Sequence, residues 1–143
     1  MPSSPYQDIL TVLESALECA LSLQATAHEA EALLQAGEID QVQDLYRTRG
    51  EVVKMMTDLD RRLGESMSQA RPSLSGKEWG HLVETGGRLR DVLADAAQTD
   101  GQNRDRIEVE CESISKELGR LRQGKQAAKS YQSAQRANAE YSA

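Results

Sequence analysis

The chain has 143 residues, with 17 Lys and Arg against 23 Asp and Glu for a formal net charge of −6, and it is 38% hydrophobic but only 3% aromatic, with no Phe. That length suits one domain, and the dominance of Leu, Ala, Glu, Gln and Arg over aromatic residues argues for long helices and against a β-rich core. Eight acids and no Lys or Arg occur in the first 46 residues; such a front end repels nucleic acid and anionic membranes, and leaves either a solvated face or a basic or amphipathic partner.

Helix one is expected over about 5–36. Ser3 or Ser4 supplies the N-cap, Pro5 suits the first helical position, and Asp8 sits in the first turn. From Ile9, the residues Leu13, Ala16, Ala20, Leu23, Ala27, Ala30 and Leu34 follow at steps of four and three, a heptad seam. Its Ala-rich middle allows close helix approach or leaves a shallow groove. Gly37 closes the helix where positive φ is needed, and a connection this short forces an antiparallel hairpin.

Helix two is expected over about 40–70, with the stripe Val42, Leu45, Arg49, Val52, Met56, Leu59 and Leu63. Arg49 stands where the spacing asks for an apolar side chain. Folding about Gly37 brings Glu29 and Glu31 toward it, so its guanidinium either pairs with a helix-one carboxylate such as Glu29 and fixes the register, or snorkels to water from the seam edge. Pro72 ends this helix, and Ser75 with Glu78 three residues on forms a capping box for the next.

Helix three is expected over about 76–122, with Trp79, Leu82, Gly86, Leu89, Leu93 and Ala96 in its stripe. The count then passes through Asp100 and Asn103 to Ile107, Cys111, Ile114, Leu118 and Leu121. Thr99-Asp100-Gly101 has the composition of a turn, but the stripe resumes in phase, which favours one continuous helix over two. Asp100 and Asn103 are poor core residues, expected where the helix outruns its neighbours or meets solvent. Residues 125–143, rich in Ala, Ser, Gln and Lys, have little to bury and are expected to be a mobile tail after a bundle spanning 1–124.

No catalytic constellation is present. His28 and His81 lie on different helices without a Ser or Cys arrangement, Cys19 and Cys111 form no ligand pair, and the single Glu-x-x-His, Glu78 to His81, is not the pair that a dinuclear bundle site needs. The expected protein is non-enzymatic, without cofactor or metal. MPSSPYQDIL shows no basic n-region followed by an apolar h-region, and no uncharged apolar run approaches 18 residues, so the expectation is a cytoplasmic, soluble protein with no membrane insertion.

Three segments carry a family resemblance: EAEALLQAGEID from Glu29, VQDLYRTRGEVV from Val42 with Arg49 in a basic position, and QNRDRIEVECESISKELGRLRQGKQAAKSY from Gln102 to Tyr131. Together they resemble flagellar type III export chaperones of the FlgN kind, with the FliT kind next. The stripes and breaks above give an all-α, antiparallel three-helix coiled-coil-like bundle; the resemblance implies that it holds the amphipathic terminal helix of a hook-associated or filament-type subunit before export, with an export-gate protein as second partner. It places the client surface at Ile107, Ile114, Leu118 and Leu121, and singles out Tyr131 for the export apparatus. From the residues alone, those four aliphatic side chains could equally be bundle core, and a coiled-coil scaffold or self-assembling adaptor, a homo-oligomer, remains an alternative function.

Overall fold

The computed structural model describes residues 4–141. It contains α1 (Pro5–Gln35), α2 (Ile39–Ala70), a 3-10 turn (Arg71–Ser73) and α3 (Gly76–Tyr141), with no strand among the described residues. This is the expected all-α bundle of long helices. The chain divides into two compact units, one reaching to Arg104 and the other starting at Asp105.

In the first unit, local chemistry sets each boundary. Ser4 Oγ accepts a hydrogen bond from the Gln7 N–H at 3.1 Å, and Pro5 opens α1. At the other end Gly37 takes φ +77, the one positive φ among the described residues. Its N–H donates to the Leu34 carbonyl and that of Glu38 to the Leu33 carbonyl, at 3.2 and 2.9 Å, a Schellman closure. Pro72 lies in the 3-10 turn that ends α2. Ser75 and Glu78 then form the reciprocal capping box, Glu78 N–H to Ser75 Oγ at 3.1 Å and Ser75 N–H to Glu78 Oε1 at 3.0 Å.

All eight seam residues of α1, from Ile9 to Leu34, are buried. Ile9, Leu13, Ala16 and Ala20 pack with Leu59 and Ala70 of α2 and with Leu82 and Leu89 of α3 in one core. Full burial of Ile9, Leu13 and Leu82 stabilises by about 1.5–3 kcal/mol each relative to exposure. The alanines are fully covered by the protein's own helices. Of the two roles open to them, close helix approach is the one observed; they offer no groove to a partner. One 18-residue window of α1 reaches a mean hydropathy of 1.2, enough on length and composition for a membrane span, although it is no uninterrupted apolar run. The apolar seam of that helix is spent inside the bundle.

α3 passes through Thr99-Asp100-Gly101 without a break. It also does not stop near residue 122. Helix continues through Gly124 to Tyr141, so residues 125–141, expected as a mobile tail, are helical; Ala, Gln, Lys and Arg have high helix propensity even without a face to bury.

In the second unit the described residues up to 139 are exposed, except for the intermediate Ile107 and Gly119.

Candidate partner-binding surface

Two sets of residues were marked by the sequence, one in each unit. In the first unit, Arg49 is in the seam and only 9% exposed. Its partner is not Glu29, which lies on the exposed surface of α1. Nη1 and Nη2 donate to the two carboxylate oxygens of Asp100 on α3, at 2.7 and 2.8 Å; Nη2 also donates to the Leu23 carbonyl at 2.9 Å, and Nε to Thr26 Oγ1 at 2.9 Å. The fork geometry of guanidinium matches a carboxylate bidentately, and the four bonds come two from α1 and two from α3. Arg49 therefore ties α2 to both neighbours.

The same finding corrects the reading of Asp100 and Asn103. Both are held inside the bundle rather than turned to solvent, yet they do stand at the end of its cover: from residue 104 to 139 every residue is exposed except the intermediate Ile107 and Gly119. Asp100 is 33% exposed and answers Arg49, while Asn103 is 1% exposed and donates through Nδ2 to the Ala27 carbonyl at 3.0 Å. The signal was present in the sequence as opposite charges in two seams, Arg49 in the second and Asp100 in the third. Folding about Gly37 points Arg49 only toward α1, whereas the match with Asp100 depends on how all three helices align.

A second polar contact joins α1 and α3 near the surface. Gln24 Nε2 donates to Asp95 Oδ2 at 2.8 Å, and the His28 ring lies 3.0 Å from the same oxygen. The Gln24 amide first, and then the His28 ring, hold the Asp95 carboxyl below its ordinary range. His28 is thus an edge histidine with a structural neighbour. No group of three or more His, Cys, Asp or Glu suited to a metal occurs among the described residues.

In the second unit, the four aliphatic residues of the marked set form a stripe. At 100° per residue, Ile107, Cys111, Ile114, Leu118 and Leu121 fall within an arc of about 80°. Ile107 is half-buried; Cys111, Ile114, Leu118 and Leu121 are exposed, Leu118 at 49% and Leu121 at 66%. Nothing in the second unit covers them. Tyr131, 66% exposed, is not on the stripe: it points about 120° away from its centre line. Val109, also exposed, lies on the opposite side and is the kind of single apolar residue any surface carries.

The stripe face changes character along the helix. Around its apolar part stand Glu108, Glu110 and Glu117, whereas beyond Leu121 the same face presents Arg122, Lys125, Lys129 and Arg136. An exposed apolar row with charged rims is the form in which helices recognise helices. No family model, no curated protein and no solved structure matches the chain.

Proposed function

We propose that the chain is a cytosolic, non-enzymatic export chaperone, whose apolar stripe takes the amphipathic terminal helix of a flagellar hook-associated or filament-type subunit, keeps it from assembling early and delivers it to the type III export apparatus. The observation that carries the reading is the exposure of Ile114, Leu118 and Leu121 in one row on a helix that nothing in its own unit covers. The resemblance of the Gln102–Tyr131 segment to the chaperones named above supplies the client class. Tyr131, turned away from the stripe, would be free to meet an export-gate protein while the stripe is occupied.

The test is titration of the full chain with synthetic peptides covering the terminal helices of such subunits, followed by fluorescence anisotropy. Binding by the parent and loss of binding in Leu118→Asp/Leu121→Asp, with the melting of the first unit unchanged, is the expected result. Equal binding by both proteins removes the stripe from the site. The scaffold reading is favoured instead if none of these peptides binds and sedimentation shows open-ended assembly at micromolar concentration.

A further inference from the structure

We infer that, when no client is bound, the stripe is covered by the same segment of a second copy of this chain, running antiparallel. The inference goes beyond the chaperone reading and does not depend on it. It rests on charge and on heptad position. Residues 107–117 hold Glu108, Glu110, Glu112 and Glu117 against Lys116 alone; residues 118–139 hold Arg120, Arg122, Lys125, Lys129 and Arg136 and no acid. A helix polarised in this way is complementary to itself only when reversed.

The heptad count makes the choice sharper. Ile107, Ile114, Leu121 and Ala128 occupy one core position, and Cys111, Leu118 and Lys125 the other. A parallel pair would stack Lys125 on Lys125 and lay acidic half on acidic half, keeping only Glu117 opposite Arg122 in its favour. An antiparallel pair with Leu118 facing Leu121 of the second copy packs those leucines twice at the centre. In that register Lys125 lies over Ile114 with Glu117 in reach of its ammonium, Cys111 faces Ala128, and Glu108 flanks Lys129. No like charges meet at the flanking positions.

The two alignments place the exposed thiol of Cys111 differently. In a parallel pair the two thiols meet across the core. In the antiparallel register each Cys111 faces residue 128 of the other copy, 17 residues along, so that the two thiols are about 25 Å apart at 1.5 Å per residue. The experiment compares two full-length proteins under diamide oxidation at micromolar concentration, on non-reducing gels with mass-spectrometric mapping: Cys19→Ala, and Cys19→Ala with Ala128→Cys. The first is expected to stay uncross-linked and the second to give a covalent dimer joined between position 111 of one copy and position 128 of the other. Sedimentation of Lys125→Glu should show dimerisation weakened about tenfold, since the change sets a carboxylate beside Glu117. A disulfide between two Cys111 residues overturns the antiparallel arrangement. A parent protein that sediments as a monomer throughout the micromolar range, with no cross-link in either variant, overturns self-pairing altogether. Neither failure touches client binding, which the peptide titration reads separately.

Discussion

The part of α3 in the first unit and the part in the second use one sequence rule with opposite outcomes. Up to Ala96, apolar residues at steps of three and four are buried or half-buried against α1 and α2; from Cys111 to Leu121 the same spacing leaves every side chain exposed. Periodicity states which face of a helix is apolar. It does not state whether the partner for that face belongs to the same chain. What separates the regions is the supply of facing helix: the seam of α1 covers the first, and nothing in the second unit packs on the other.

Mutations can break or sharpen this contrast. The largest effect is expected for Leu82→Ala, a 1% exposed side chain in the core, which should cost about 3 kcal/mol. Its counterpart Leu118→Ala should change the stability of the first unit by no more than about 0.5 kcal/mol. Thermal denaturation of the two variants side by side reads the difference, and equal losses would erase it.

Removing one partner of the Arg49–Asp100 pair comes next. Asp100→Ala leaves a guanidinium in the seam with an unanswered charge; because Asp100 is a third exposed, about 2–3 kcal/mol is expected, at or below the lower end for buried pairs. Replacing both, as Arg49→Met with Asp100→Leu, should recover most of that loss, because two apolar side chains need no desolvation. A double variant as unstable as the single one would mean the pair does more than fix register. Gly37→Ala is expected to cost about 1 kcal/mol through the left-handed turn alone, since the space around it is open.

The smallest effect concerns pH. Asp95 has its carboxyl held below its ordinary value of 3.8, so its contribution is present above that value and fades as the pH falls through the lower folded value. The melting temperature of Asp95→Asn should therefore drop less than that of the parent between pH 5 and pH 3. An identical acid limb in both proteins would show that the contact with Gln24 and His28 carries no measurable stability.

Much of the first unit could be read from the chain itself. The Ser4 cap, the Gly37 closure, the Pro72 break, the Ser75–Glu78 box and all eight seam residues of α1 depend on neighbours within a turn or two, or on a single repeat, and local chemistry decides them. Arg49 could be placed in the seam for the same reason. Its partner could not, because Asp100 is 51 residues away and its match depends on how three helices align. The end of α3 was misplaced for a third reason: Lys125 to Tyr141 has helical propensity but no stripe, and periodicity carries no signal where nothing is buried. The aliphatic residues from Ile107 to Leu121 were legible as a row. Whether the row is covered was not, since core and docking surface share one pattern.

The claim beneath all of this is that the second unit has an apolar face that nothing in that unit covers. Hydrogen exchange followed by mass spectrometry, at dilution low enough to keep the chain monomeric, tests it most directly. Amides of the α1 seam should exchange only through global unfolding, and those of residues 107–139 many times faster, as expected of a helix without tertiary cover. Equal protection in the two regions of the isolated monomer would contradict the account.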